Sequence, residues 1–591
     1  MTPASWAETM NPVMEPSRST GRARSYGVLY DHETHLTRTD LWAWQDAVSR
    51  IANTTDGARR PTEREIVAAM RRPGFYGEAE NVEVEVRETH ISWVFLVGAR
   101  AFKLKKRVVF PFLDYGSVER RQSMCELEVE LNRRLAPSVY VGVRPVVERG
   151  GHVELGTPGC DGALEHVVEM RRFDESRTLA ATVASGTVEE GLVARLGARL
   201  AAFHGAAVVP SAVTEPLGAL KAIGDANFEA MIGRNDLIER GRVAAAQRFV
   251  DAFLCGHAET IVGRVANGRL REGHGDLRAE HILLCDPPAR DEWEIVDCAE
   301  FDASLRDGDV AADLAFLVMD LTWLGRRDLA RELLDGYRSA GGDAGGDELV
   351  AFHAAVKAWV RAKVALLRAS DPGRSSRARR SAEREAQELF ALGERFAWQA
   401  RMPLALLVCG APAAGKSSLA ARLAASSGLP VVSSDVVRKE RQGLTATARA
   451  GEAAYADAEN TDTYRELGRR AAEEVASNGG VIVDATFAAG SLRRAFAQSF
   501  ASAAPTVFCE CRLPIATIRR RALTRMSDPN RVSDATPAVA ERLALEFEPL
   551  DGVVPAGRHM LLQADQPVDE ITADVVALLD RRLMHGPDIS A

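Results

Sequence analysis

Residues 404–427 read LALLVCGAPAAGKSSLAARLAASS and contain the most specific motif of the chain. An apolar run is followed by a match to GxxxxGK[ST] and then by a helical pattern, which is the strand-loop-helix context that this motif requires. The matching residues, with the serine that follows them, are Gly410, Ala411, Pro412, Ala413, Ala414, Gly415, Lys416, Ser417 and Ser418. Small residues let successive backbone N–H groups turn toward an anion at a helix N-terminus. The motif predicts a phosphate-binding loop (P-loop), in which Lys416 contacts the β and γ phosphates of ATP and Ser417 ligates Mg²⁺.

The sequence after the P-loop alternates helices with apolar strands, a rhythm typical of a parallel α/β sheet. Asp435 follows the strand LPVVSS, where open α/β sheets place their ligands. A carboxylate there can accept the proton of an attacking hydroxyl, and Arg438 can hold an anionic substrate or the transferring phosphoryl group. The alternative for Asp435 is an N-cap of the next helix. Asp484 ends the strand GVIVD and has the position of a Walker B acid near Mg²⁺.

Residues 401–583 resemble the P-loop small-molecule kinases, a group that includes gluconate kinases, polynucleotide 5′-kinases and zeta-toxin-type kinases. The resemblance implies that Asp435 is the substrate-side acid and that an arginine-bearing lid closes on the phosphates. The lid candidates are Arg519, Arg520, Arg521, Arg525 and Arg531, of which Arg521 and Arg525 are expected to contact the nucleotide. The alternative is a solvated helix face.

A second motif, HGDLRAEH, covers residues 274–281 in the amino-terminal half, and the strand WEIVD ends at Asp297, sixteen residues after His281. Protein kinases carry HRDxxxxN followed by DFG, in which the first Asp orients or deprotonates the acceptor hydroxyl and the second binds Mg²⁺. Asp276 and Asp297 are therefore predicted to be catalytic. His281 stands where the pattern has the Asn ligand. We expect it to bind the metal, although Mg²⁺ prefers oxygen, and the alternative is a structural residue that caps the loop.

Ala101-Phe102-Lys103 lies in an alternating strand and matches the A-x-K of the third kinase strand. That lysine contacts the α and β phosphates and pairs with a helix glutamate, for which Glu128 is the first candidate and Glu126 the second. Only eight of the 74 basic residues are lysines. A retained lysine is therefore a candidate for a role that needs an ammonium group, although an exposed strand lysine is the common alternative.

Residues from about 85 to 345 resemble the aminoglycoside phosphotransferases and related small-molecule kinases, which have HGD in place of HRD. The resemblance implies a bilobal protein-kinase-like domain over residues 85–367, with a β-lobe (85–175) and an α-lobe (176–367). One departure from the family pattern is the segment VFLVGARAFK, which ends at Lys103. It contains one Gly, whereas protein kinases have a Gly-rich GxGxxG loop over the phosphates.

The predicted fold class is α/β multidomain, with the bilobal kinase-like fold followed by the parallel α/β sheet of a P-loop NTPase. The remaining segments are assigned as a disordered leader (1–25), a helical entry region (26–84), a charged linker and exposed helix (368–400) and a tail (584–591).

Composition excludes several classes of protein. Hydrophobic residues make up 46% and charged residues 27%, as in soluble globular proteins. The net charge is -9, whereas proteins that bind the phosphate backbone of duplex nucleic acid are typically basic. No signal peptide is legible, and the longest apolar stretch, about 13 residues, is too short to cross a bilayer. The eight cysteines show no metal-ligand spacing, which favours free thiols and a cytoplasmic location.

These features predict a bifunctional kinase that depends on ATP and Mg²⁺. Both halves are expected to bind ATP and to transfer its γ-phosphoryl group to alcohol groups of small molecules. Two alternatives stay open: a P-loop kinase or ATPase regulated by a degenerate kinase-like ligand-sensing domain, and an antibiotic-modifying phosphotransferase. The sequence specifies neither acceptor and no oligomeric state.

Overall fold

The computed structural model places two units, Met1–Pro61 and Thr62–Ala591, and every element below belongs to the second. It describes residues 60–584 apart from 90, 111–112, 211–214, 286–291, 452–453, 455, 528–531, 552 and 556. The predicted leader, residues 26–59 of the entry region, all but the first residue of the tail and the lid candidate Arg531 lie outside the described residues.

The β-lobe is a six-stranded antiparallel sheet with a helix on each face. Its strands are β1 (Val84–Glu88), β2 (Ser92–Val97), β3 (Arg100–Lys105), β6 (Tyr140–Arg149), β7 (His152–Leu155) and β8 (Glu165–Arg171), in the order β1-β2-β3-β8-β6-β7. Helix α1 (Glu63–Met70) precedes the sheet, and a ribbon of β4 (Val109–Phe110) and β5 (Leu113–Asp114) leads to α2 (Val118–Arg133). Side chains alternate along β3, so Phe102 packs toward α1 while Lys103 and Lys105 point toward α2.

Within its described residues, the α-lobe packs ten α-helices and two short ribbons around one core. The helices are α3 (Leu179–Ser185), α4 (Leu192–Ala206), α5 (Pro216–Ile232), α6 (Arg240–Gly256), α7 (Ala258–Ala266), α8 (Ala303–Arg306), α9 (Val310–Trp323), α10 (Arg327–Ser339), α11 (Asp347–Ser370) and α12 (Ser376–Gln399). The ribbons pair β9 (Leu270–Glu272) with β12 (Asp307–Asp309) and β10 (Ile282–Leu284) with β11 (Trp293–Ile295). Helix α9 is buried along almost its whole length and packs against the loop that contains HGDLRAEH, which connects β9 to β10.

The expectation of an exposed helix within residues 368–400 is wrong. Helix α12 packs along α11 and buries an apolar stripe, including Leu389, Phe390 and Phe396, in the α-lobe core. The Trp359 indole donates to the Phe390 carbonyl oxygen at 3.3 Å. The charged residues of this segment occupy the opposite face of α12. A segment rich in charged residues can therefore still bury one face of its helix.

The carboxyl-terminal domain is a five-stranded, fully parallel sheet flanked by helices. The strands are β13 (Leu404–Cys409), β14 (Val431–Ser433), β15 (Gly480–Asp484), β16 (Thr506–Arg512) and β17 (His559–Gln563), in the order β14-β15-β13-β16-β17. The helices are α13 (Lys416–Ser427), α14 (Ser434–Arg441), α15 (Asp457–Asn478), α16 (Gly490–Phe500), α17 (Ile515–Arg525), α18 (Pro537–Leu545) and α19 (Val568–Met584). The predicted α/β multidomain class is confirmed by this architecture.

The last helix joins the two halves directly. Helix α19 packs on α6, and a Cβ on Gly256 would lie 1.7 Å from the Leu583 carbonyl oxygen, so only Gly permits this approach. Arg401 is buried at the same contact, where its Nε donates to Asp580 Oδ1 at 2.9 Å and its guanidinium lies 4.5 Å from the Phe249 ring centroid. Among the described residues, no helix is long and apolar enough to cross a membrane.

Candidate active sites

A buried ionic network joins the β-lobe to the α-lobe. Lys103 Nζ donates to Glu128 Oε1 at 2.8 Å and to Asp297 Oδ1 at 3.1 Å. Lys105 Nζ, fully buried, donates to Glu128 Oε2 at 2.6 Å and to Glu300 Oε1 at 2.5 Å. Burial alone would lower the pKa of both lysines, but the surrounding carboxylates raise it well above its ordinary value, so both remain charged. The structure thus places Glu128 as the partner of Lys103, whereas Glu126 contacts Gln122 on the exposed face of α2.

Three side chains of the α-lobe converge beside Lys103. Asp276, His281 and Asp297 each present a ligand atom, and these atoms all lie within 4.8 Å of one another. Asp297 has a positive φ of 63°, and its N–H donates to the Tyr140 hydroxyl at 3.2 Å. Lys103 holds the pKa of Asp297 well below its usual range, whereas burial raises the pKa of Asp276. The two carboxylates therefore differ in basicity, as a metal ligand and a general base should.

The two ring nitrogens of His281 have different surroundings. Its Nδ1 lies 2.9 Å from the Asp276 carbonyl oxygen. Because a carbonyl only accepts, Nδ1–H is the donor, and in the neutral ring Nε2 keeps its lone pair. Nε2 lies 3.7 Å from Asp297 Oδ2. The ring therefore braces the loop and offers a metal-binding nitrogen, so these residues fit a divalent cation, with imidazole in place of the oxygen that Mg²⁺ prefers.

Asp313 on α9 fixes the start of the HGD loop. Its carboxylate accepts from the backbone N–H groups of His274 at 2.8 Å and Gly275 at 2.9 Å, and it contacts His204 Nε2 at 3.1 Å. Burial alone would raise the pKa of Asp313, but these hydrogen bonds, first that of His204, lower it. His274 is neutral, because burial lowers its pKa to about 4. Sequence reasoning missed Asp313, Lys105 and Glu300.

The P-loop lies between β13 and α13, as predicted. Gly410 and Gly415 have φ values of 128° and 104°, and Ala413 also adopts a positive φ of 66°. A Cβ on Gly410 would lie 2.4 Å from the Cys511 carbonyl oxygen, so Gly is required there. Lys416 Nζ donates across the loop to the Ala411 carbonyl oxygen at 3.0 Å. Pro412, Ala414 and Ser418 complete the loop and the first turn of α13.

Three polar groups face the P-loop from the carboxyl ends of neighbouring strands. Asp484 ends β15, and burial raises its pKa against the opposing effects of the Lys416 charge and the Ser417 hydroxyl. Asp435 lies in the first turn of α14, whose N-cap is Ser433, so the N-cap alternative for Asp435 is wrong. Arg438 NH1 donates to Asp435 Oδ1 at 2.9 Å. Ser417 and Asp484 provide oxygen ligands, and they fit Mg²⁺.

Helix α17 borders a cavity of about 580 Å³ beside the P-loop. Gly415, Ser417, Arg520, Arg521 and Arg525 contribute to its lining. Arg521 NH1 donates to the Ala564 carbonyl oxygen at 3.1 Å, and Arg525 is close enough to lower the pKa of Asp484. Arg519 is exposed on the same helix.

Lys439, which had no predicted role, forms hydrogen bonds that hold the segment after α17 in place. Its side chain is buried, and Nζ donates to the carbonyl oxygens of Ala446 at 2.9 Å and Val532 at 2.5 Å, with Asp534 Oδ1 at 3.5 Å. An ammonium with three N–H donors matches these three acceptors.

Comparisons with known proteins match part of the carboxyl-terminal half to a family model and most of the chain to a mycobacterial relative. A family model described as an AAA domain matches residues 406–550. "Uncharacterized protein Rv2004c" of Mycobacterium tuberculosis (strain ATCC 25618 / H37Rv) is 34% identical over 468 residues, which are 78% of this chain and 89% of that protein.

Two solved structures match different parts of the chain. A gluconokinase from Sinorhizobium meliloti 1021 is 20% identical, with a TM-score of 0.24, over 31% of this chain and 96% of that chain. A microcompartment-associated aminopropanol kinase is 16% identical, with a TM-score of 0.35, over 57% of this chain and 98% of that chain.

Proposed function

This chain belongs to the family of the Mycobacterium tuberculosis protein Rv2004c, and we propose that it is an ATP-dependent kinase with one phosphoryl-transfer site in each half. The observation that carries the proposal is the position of Lys103, whose ammonium bridges Glu128 and Asp297 beside Asp276. A phosphoryl-transfer site needs a cation for the phosphates, a metal-binding acid and a base for the acceptor, and this arrangement supplies all three.

In the kinase-like half, Asp276 is the general base. The acceptor oxygen forms a bond to the γ-phosphorus of ATP while the bond to the β–γ bridging oxygen breaks, ADP leaves, and the hydroxyl proton passes to Asp276. Burial raises the pKa of this carboxyl, which makes its ionised form a better proton acceptor. Lys103 binds the α and β phosphates. Glu128 accepts hydrogen bonds from both Lys103 and Lys105 and so keeps the ammonium of Lys103 in position.

In the P-loop half, Asp435 is the general base, and it accepts the proton from the hydroxyl group of the acceptor bound in that half. Lys416 and the loop N–H groups bind the β and γ phosphates, and Arg438 holds an anionic group next to Asp435. Arg521 and Arg525 approach the nucleotide from α17. Mg²⁺, when bound, neutralises phosphate charge, and the residues that would hold it are Asp297 and His281 in one half and Ser417 and Asp484 in the other.

Catalysis is favoured over a purely ligand-sensing kinase-like half. A degenerate sensor has no need of a base and a metal-binding acid with opposite pKa shifts, yet burial raises the pKa of Asp276 while Lys103 lowers that of Asp297.

The test is label transfer from [γ-³²P]ATP by the full chain with Mg²⁺ and a small-molecule extract. The double variant Lys416→Ala/Asp276→Asn is the blank. We expect the wild type to release ADP and to label extract compounds at least about 100-fold faster than the blank. Equal rates for the wild type and the blank would refute the proposed function.

Replacing His281 by asparagine is expected to improve the use of Mg²⁺ by the kinase-like half. An amide oxygen is a harder ligand than imidazole, so the Mg²⁺ concentration for half-maximal activity should fall roughly tenfold. The ratio of the activity with Mn²⁺ to the activity with Mg²⁺ should also fall. Metal titrations of the His281→Asn variant in a Lys416→Ala background measure this. A higher Mg²⁺ requirement would mean that the bond from His281 to the Asp276 carbonyl outweighs metal binding.

A further inference from the structure

Two cations that the proposed chemistry does not use lie beside Asp276. Burial raises the pKa of Asp276, and the positive charges of Arg278 and Lys357 each oppose that rise. Arg278 NH2 pairs with Glu280 at 2.5 Å, but its buried Nε has no hydrogen-bond partner. Within the described part of the chain, Lys357 makes no ion pair, and its Nζ lies over the Phe316 ring at 4.8 Å from the centroid.

The positions of α9 and α11 explain why Lys357 faces the HGD loop. Asp313 and Asp320, two turns apart on α9, accept from the loop N–H groups of His274 and Ala279, both at 2.8 Å. Phe316 lies between these two acids on the same face of α9. Lys357 contacts Phe316, and Arg361, one turn along α11, pairs with Asp320. The Lys357 ammonium is therefore held level with the middle of the loop, where Asp276 lies.

Lys357 is partly buried, and burial lowers the pKa of its ammonium, so an anion supplied by a ligand would stabilise the charged form. A cationic acceptor would gain no charge-assisted contact from Arg278 or Lys357. An acceptor with an anionic substituent would instead gain charge-assisted hydrogen bonds from both side chains.

We propose that the kinase-like half phosphorylates a hydroxyl compound that already carries a phosphate or carboxylate group, and that Lys357, with Arg278, binds that group beside Asp276. This inference rests on the proposed function, since it names the acceptor class of the same site. It assigns a specificity role to Lys357, one of the eight lysines of the chain, on a helix where no motif is present.

The experiment uses the full chain with Lys416→Ala, so that nucleotide turnover reports the kinase-like half. The probes are sn-glycerol 3-phosphate and gluconate as anions, glycerol and glucose as their neutral counterparts, and choline as a cation, each with Mg²⁺ and ADP for binding or ATP for transfer. We expect at least one anion to bind more tightly than its neutral counterpart and than choline. Lys357→Met should weaken that binding about tenfold to a hundredfold, and Lys357→Arg should restore most of it. The preferred anion distinguishes a phosphate from a carboxylate site.

Lys221→Met is the matched control, because Lys221 is exposed on α5 and pairs with Asp225 on the same helix and with Asp251 on α6. It should bind every probe as the parent does. Anion binding that survives Lys357→Met, preference for a neutral or cationic probe, or failure of both anions to bind would overturn the inference. Anion binding that depends on Lys357 without any phosphoryl transfer would leave the anion site standing and refute the proposed function of this half.

Discussion

Lys416→Ala is expected to lower the kcat/KM of the P-loop half for ATP by about 10²–10³, a larger loss than any other single change in that half. Lys416 Nζ donates to the Ala411 carbonyl oxygen, so this hydrogen bond already holds the ammonium across the P-loop. Its positive charge also opposes the rise in pKa that burial imposes on Asp484. Without it, bound phosphates would face Asp484 and Asp435 with less compensating charge.

The measurement is ADP release by full-length Lys416→Ala/Asp276→Asn compared with Asp276→Asn alone, so that only the P-loop half contributes. Lys416→Arg is the matched control: it keeps the charge but replaces the compact ammonium with a planar fork, so we expect it to recover little activity. If the alanine variant keeps more than a tenth of the rate, Lys416 does not bind the transferring phosphates.

The sequence predicted those parts of the sites that depend on short segments. GxxxxGK[ST] fixes a backbone path locally, and the structure has this loop between β13 and α13. HGDLRAEH and the strand that ends at Asp297 are joined by a ribbon in which Ile282 pairs with Ile295, which brings Asp276, His281 and Asp297 together. Period-two alternation along β3 also placed Lys103 opposite α2, where Glu128 lies.

The parts that were missed depend on contacts between residues far apart in the chain. The pairing of Lys105 with Glu300 spans 195 positions and requires the packing of both lobes. A signal for it was present, since Lys105 shares the strand face of Lys103 and two buried ammonium groups need more than one carboxylate. Asp313 acts through two backbone N–H groups, which leave no pattern in a single sequence. The buried face of α12 was legible as Leu389, Phe390 and Phe396 at helical spacing, but the neighbouring charges obscured it.

Asp276→Asn is expected to reduce phosphoryl transfer by the kinase-like half by about 10²–10⁴, the contribution typical of a positioned general base. The amide has nearly the same shape as the carboxylate. The backbone of Asp276 holds the loop, because its N–H donates to His274 Nδ1 at 3.3 Å and its carbonyl accepts from His281, while its carboxylate Oδ2 lies 3.6 Å from His281 Nδ1. Folding should therefore be retained, and the loss should appear in kcat.

The pH profile separates this base from a residue that only positions the acceptor. In the wild type, transfer should fall as the pH drops through the pKa of Asp276, which burial raises above its ordinary value. Asp276→Asn has no carboxylate to protonate there, so its residual rate should lack that acid limb. Measurements in the Lys416→Ala background, with thermal unfolding as the folding control, provide the comparison. An acid limb that persists unchanged in Asp276→Asn would assign the titration to another group, and a rate within tenfold of the parent would mean that the hydroxyl loses its proton without help from this carboxylate.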